Sequence, residues 1–83
     1  MAMTNYSDDA FRSLFLRVLG VEPGVFRADL QIGDVEQWDS IAHLELVSEL
    51  ELGFGVQFAT EDLMGLGSVA ELQARVAELC ESR

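Results

Sequence analysis

The chain has 83 residues, 49% of them apolar, with five arginines, no lysine and fifteen carboxylates, for a net charge of −10. A chain of this size hides about 60% of the surface its unfolded form exposes, and the apolar content describes one folded domain over residues 1–83, not a disordered acidic tail. The charge argues against nucleic acid and anionic membrane surfaces as partners, and no apolar run approaches the roughly 20 residues that span a bilayer.

The start, Met1-Ala2-Met3-Thr4, lacks the basic opening and apolar core of a secretion signal, and the lone Cys80 cannot form an internal disulfide. Both features point to the cytoplasm, with residues 1–6 as a flexible lead-in. Ser7 is a good N-cap for a first helix over Asp8 to Leu19, with Asp8 and Asp9 at the positive end of its dipole. Phe11, Leu14, Phe15, Val18 and Leu19 recur at helical spacing, and Gly20 and then Pro23 end the helix. Residues 20–39 show no sustained period and are too long for an idle connection in a compact domain. They read as a loop packed across the helices, with a short turn between Pro23 and Arg27 and with Trp38 as a hydrophobic lid that keeps one edge wet.

A second helix runs from Ser40 to Leu52, where Gly53 and Gly55 stop it. A short third helix spans Glu61 to Met64 behind a Thr60 cap. A fourth covers Val69 to Glu81, opened by the capping box Ser68-Val69-Ala70-Glu71, with Glu71 reaching back to the Ser68 amide. Phe54-Gly55-Val56-Gln57-Phe58 alternates like a strand, but no sustained period-2 signal accompanies it. The fold class is therefore all-α: a four-helix bundle with a long loop between helices one and two and a short third helix. Its expected core is Phe11, Phe15, Val18, Leu46, Leu50, Phe54, Phe58, Leu63, Val69, Leu72 and Val76.

The second helix carries two apolar stripes. At 100° per residue, His43, Leu46, Val47, Leu50 and Phe54 share one arc of about 100°, which suits a core face. Ile41, Leu44 and Leu52 fall on another, shared with Ser48 and flanked by Glu45, Glu49 and Glu51. A central helix touching neighbours on two sides would need that second stripe. So would a docking surface in which Ile41, Leu44, Glu45, Ser48 and Glu49 meet a basic partner. Between Arg27 and Arg75 the chain holds ten carboxylates and no lysine or arginine, a field that attracts such partners. His43, on the inner arc, reads as a hydrogen-bonded core histidine, and Cys80 as a packing cysteine.

Ser40 follows Trp38-Asp39 at the start of this helix. A serine there is most often an N-cap, but Asp39 is itself a competent cap, which makes Ser40 the alternative first helical residue. Unpaired amides and the helix dipole at that point favour a phosphodiester, and the hydroxyl can be esterified with little bulk around it. Asp39 would repel a phosphate, so its benefit lies elsewhere. Asp39, Ser40 and His43 have triad residue types but crowd one helix start, without separate oxyanion donors. Asp29, Asp34, Glu36 and Asp39 lack the spacing of an EF-hand. Neither an enzyme nor a metal site is expected.

The stretch from Trp38 through Ser40-Ile41 to Glu45-Leu46-Val47 and Glu51 resembles the acyl and peptidyl carrier protein family, which has an Asp-Ser-Leu/Ile signature at the start of its second helix. The likeness extends to the helix before a long loop, the Phe-Gly-Val exit from helix two, the short third helix and the capped fourth. The Trp-Asp-Ser step with His43 beyond it is similar to free-standing carriers of polyketide and nonribosomal-peptide pathways. The resemblance implies a right-handed up-down bundle, monomeric and non-catalytic. It implies that a phosphopantetheinyl transferase attaches 4′-phosphopantetheine from coenzyme A to Ser40, with Asp39 helping to present the site. Loading and tailoring enzymes with basic docking patches then act on cargo held as a thioester.

Ile41 stands where leucine is commoner, Ser48 and Leu52 where acidic fatty-acid carriers often show Met and Glu, and Gly53-Phe54-Gly55 where an acidic run is usual. These departures argue against a primary fatty-acid role and favour a pathway-specific carrier, and the acidic balance leans toward acyl cargo in a polyketide-like pathway. An aminoacyl or peptidyl carrier is the alternative. An unmodified acidic helical adaptor would explain the charge and the second stripe, but not the placement of Trp-Asp-Ser.

Overall fold

The computed structural model describes residues 6–82. In chain order it contains α1 (Asp8–Leu19), a 3-10 turn (Pro23–Val25), α2 (Ser40–Phe54), α3 (Thr60–Gly65) and α4 (Val69–Ser82). The expected flexible lead-in lies outside the described residues except at Tyr6. That ring stacks on Phe54 with centroids 5.7 Å apart, and its hydroxyl donates to Asp8 Oδ1 at 2.6 Å. Partial burial and the Asp8 carboxylate push the Tyr6 phenol above its ordinary pKa.

Each helix boundary has a local cause. Ser7 Oγ accepts from the Ala10 amide at 3.3 Å, and Gly20 closes α1 in the left-handed conformation with its N–H on the Leu16 carbonyl. α2 runs past the predicted stop at Leu52: Gly53 lies inside the helix, and Gly55, at φ 66°, ends it. Gly53 has a packing reason to be there. A Cβ at that position would sit 2.8 Å from Leu14 Cδ1, so the missing side chain lets α1 and α2 approach closely. α3 starts at Thr60, which is not its cap; instead Asp62 Oδ2 accepts from the Ala59 amide at 3.1 Å. At α4, Ser68 Oγ accepts from the Glu71 amide at 3.2 Å. Glu71 Oε1 takes the Gly67 amide and the Ser68 hydroxyl, not the expected Ser68 amide.

The long loop is fastened to the far end of the bundle. Ile32 N–H donates to the Gly67 carbonyl at 2.8 Å, and the Val69 and Ala70 amides donate to the Leu30 and Ala28 carbonyls at 3.0 Å each. The result is an isolated antiparallel bridge between Gln31 and Ser68. Loop carbonyls thereby satisfy amides at the start of α4, which would otherwise lack partners.

Of the predicted core, Phe11, Phe15, Leu46, Leu50, Phe54, Phe58, Val69, Leu72 and Val76 are buried. Val18 and Leu63 are only partly so, because each lines an opening on the surface. Leu14, Leu19, Val21, Leu30, Trp38 and Val47 complete the core. Trp38 has no wet edge: it is 0% exposed and packs edge-on against Phe15 at 5.2 Å. Asp62 fastens the short α3 to α4 through Arg75 Nε at 3.0 Å, and Arg75 pairs also with Glu78. Cys80 is a free, half-buried thiol. No helix among the described residues is long and apolar enough to cross a membrane.

Candidate functional site

The start of α2 is held from both sides. On the loop side, Gly33 N–H donates to the Trp38 carbonyl at 2.8 Å, and Trp38 N–H donates to the Val35 carbonyl at 3.2 Å. On the helix side, the Trp38 indole N–H donates to His43 Nδ1 at 3.0 Å. This contact joins the residue before the cap to the first turn of α2, so the sequence pattern Trp-Asp-Ser with a histidine five residues after the tryptophan describes one buried clamp. His43 is thus the hydrogen-bonded core histidine expected, with Trp38 as its partner. Because Nδ1 accepts, Nε2 carries the proton of the neutral ring. Burial holds the His43 pKa below its ordinary value, and the Leu63 backbone acts in the opposite direction. A protonated ring would point an N–H at the indole N–H.

Asp39 is the N-cap. Its Oδ1 accepts from the Ala42 amide at 2.8 Å, and its carbonyl accepts from the His43 amide at 2.9 Å. Capping the helix is thus the structural benefit of an acid at this position. Ser40 is therefore the first helical residue, exposed, and its hydroxyl makes no hydrogen bond among the described residues. The triad residue types do not assemble: His43 Nδ1 is taken by Trp38 and the Asp39 carboxylate by Ala42. Two other loop acids also have local tasks. Asp34 Oδ2 accepts from the Gln31 amide at 2.8 Å, and Asp29 pairs with Arg27.

Two openings flank the ridge made by Leu44. One, of about 300 Å³, has Ser40 at its edge and apolar walls from Ile32, Leu44, Leu63 and Leu66. The other, of about 500 Å³, is a groove between the end of α1 and the outer face of α2. It gathers Ile41, Leu44, Glu45, Ser48 and Glu49, the five residues read from the sequence as partner contacts; Leu52, also on the second stripe, does not line it. Ile41 is 74% and Leu44 54% exposed, so neighbouring helices do not account for the stripe. Glu51 stands apart from this face, since its Oε2 accepts from the Phe58 amide at 2.8 Å and ties down the exit from α2. Sequence reasoning missed Arg17 and Val18, which form the groove's α1 wall. Only the packing of α1 against α2 brings them there, and no local pattern carries that information.

Against known families, residues 9–76 match the phosphopantetheine attachment site profile, which is most of the chain. The chain belongs to that family. It is a carrier protein, a class that is generally non-catalytic, bears covalently attached 4′-phosphopantetheine, and interacts with a phosphopantetheinyl transferase and with partner enzymes. No individually curated protein matches it. The residues at the start of α2 fit the group. An exposed, unbonded hydroxyl stands on the first turn of a 15-residue helix, where backbone amides point outward.

Proposed function

We propose that Ser40 is the attachment residue, and that the chain carries acyl intermediates as thioesters in a specialised, polyketide-like pathway. The observation that carries this reading is the division of labour at the start of α2. Asp39 satisfies the helix, which leaves the Ser40 hydroxyl exposed and uncommitted. Attachment would form a bond between the Ser40 oxygen and the pantetheine-side phosphorus of coenzyme A and break the pyrophosphate bond of that phosphorus, releasing adenosine 3′,5′-bisphosphate and the hydroxyl proton and leaving a phosphodiester near the positive end of the α2 dipole. The arm, once attached, supplies a terminal thiol for the cargo. Trp38 and His43 keep the platform under Ser40 rigid, and Asp39 holds the first turn in place for the transferase. Ile41, Leu44, Glu45, Ser48 and Glu49 receive partner enzymes that carry basic docking patches.

The cavity beside Ser40 supports acyl cargo over aminoacyl cargo. Four apolar side chains line it together with Ser40, His43 and Gly67, and among the described residues its lining has no carboxylate to pair with a free ammonium. The aminoacyl or peptidyl carrier is the second reading, since carriers of both pathways share the Trp-Asp-Ser context.

The test is the intact mass of the chain after incubation with coenzyme A, magnesium and a broad-specificity transferase. A gain of one arm on the wild type and none on Ser40→Ala is expected. No gain on the wild type would favour an unmodified acidic adaptor. Loading with hexanoyl-pantetheine or an aminoacyl-pantetheine then separates the cargo classes, since a chain sheltered in the cavity raises the melting temperature and a charged one left in solvent does not.

A further inference from the structure

We propose that Arg17 is a specificity determinant of the groove between α1 and α2. The surface that docks there presents an apolar side chain to Ile41 and Leu44, basic groups to Glu45 and Glu49, and one carboxylate to Arg17. The inference rests on reading the outer face of α2 as the partner face, and it names the kind of partner that face fits.

Arg17 lies on the last turn of α1, is exposed, and is the only cation among the residues lining the groove. The opposite wall carries Glu45 and Glu49, yet Arg17 makes no ion pair among the described residues. A cation anywhere on the last turn would complement the α1 dipole. Standing in this groove has a further effect. A partner patch that is uniformly basic brings like charge against Arg17, within the roughly 8–10 Å over which salt leaves charges coupled. A patch with a carboxylate at that one point turns the repulsion into a charge-assisted hydrogen bond. Arg17 therefore rejects generic basic surfaces that Glu45 and Glu49 would attract, which is selection by a built-in repulsive element. A second copy of the chain does not fit. It would bring its own Glu45 and Glu49 to the interface and oppose one body of net charge −10 to another.

A yeast-displayed library of a small helical scaffold with one randomised face supplies the probes. Selection is on the wild-type chain, with counter-selection on the double variant Ile41→Asp, Leu44→Asp, whose fold is checked by circular dichroism. The expected binders combine basic residues with an Asp or Glu. Changing that acid to its amide weakens binding to the wild type by about threefold or more and leaves binding to Arg17→Gln unchanged. Binders with basic residues alone, or an equal loss on both chains, overturn the assignment of Arg17. A selection that yields no binder dependent on Ile41 and Leu44 overturns the docking face as well. Arm attachment at Ser40, read by intact mass on the same protein, is independent: it can succeed where the Arg17 assignment fails, and its own failure removes the proposed role of Ser40 alone.

Discussion

The starts of α2 and α4 look alike in sequence and are used differently. Ser68 is itself the cap of α4: it accepts from the Glu71 amide and donates to the Glu71 carboxylate, while loop carbonyls take the amides that follow. Ser40 sits one step further in. Its helix is capped by Asp39, and its hydroxyl is left to solvent. The register of a serine against its cap therefore decides whether the hydroxyl is structural or open to chemistry. An acid placed immediately before a helix-opening serine releases it.

Paired alanine variants test that contrast most severely. Ser40→Ala is expected to lose the arm completely with little change in stability, because its hydroxyl bonds to nothing among the described residues. Ser68→Ala is expected to keep the arm and lose about 1 kcal/mol. Intact mass and urea unfolding on both proteins read the two effects, and an arm retained on Ser40→Ala would move the attachment point. The buttress under Ser40 comes next. Trp38→Ala empties a fully buried site and should cost about 3–5 kcal/mol, a large part of the roughly 5–15 kcal/mol that holds a small domain together. Trp38→Phe keeps most of the bulk but leaves His43 Nδ1 without its donor, and should cost about 1–3 kcal/mol. A Trp38→Phe protein as stable as wild type would mean that the clamp at the start of α2 contributes packing alone.

Much of this was legible in the sequence because it is local. The span of α1, the Ser7 and Gly20 caps, the inner arc of α2 and the inward residues of α4 follow from spacing and capping chemistry. The choice between Asp39 and Ser40 as cap stayed open there, since both types cap well and only the Asp39–Ala42 contact decides it. What was illegible depends on distant partners. Gly53 reads as a helix stop until Leu14 is seen packed where its side chain would be. Trp38 reads as a lid until His43 supplies an acceptor for its N–H. Leu30 and the Gln31–Ser68 bridge sit in a stretch without periodicity, ordered by contacts some forty residues away in the chain.

Acid should separate the two helix starts, because only α2 has a buried titratable clamp. The folded-state pKa of His43 is lowered, so the unfolded chain takes up more protons as pH drops. The stability contributed by the neutral ring is fully present above the unfolded value of 6.5, and it is lost as pH falls from there toward the folded value. The melting temperature of the wild type should therefore be lower at pH 5.5 than at 7.5, and His43→Gln should flatten that slope. An equally steep slope in His43→Gln would place the proton uptake on another group.

The smallest expected change in stability is also the one that separates two roles of a single side chain. Asp39→Asn retains an oxygen for the Ala42 amide and removes the charge beside Ser40. Asparagine caps about as well as aspartate, so unfolding should shift by less than about 0.5 kcal/mol, whereas Asp39→Ala should lose about 1 kcal/mol. If Asp39 also presents Ser40 to the transferase through its charge, kcat/KM for arm attachment falls in Asp39→Asn while the fold is unchanged, and the fall shrinks in high salt. An unchanged rate would confine Asp39 to capping. A faster rate would show that its repulsion of the incoming phosphate outweighs any attraction for the transferase, and that the acid is kept there because the helix needs a cap which is not Ser40.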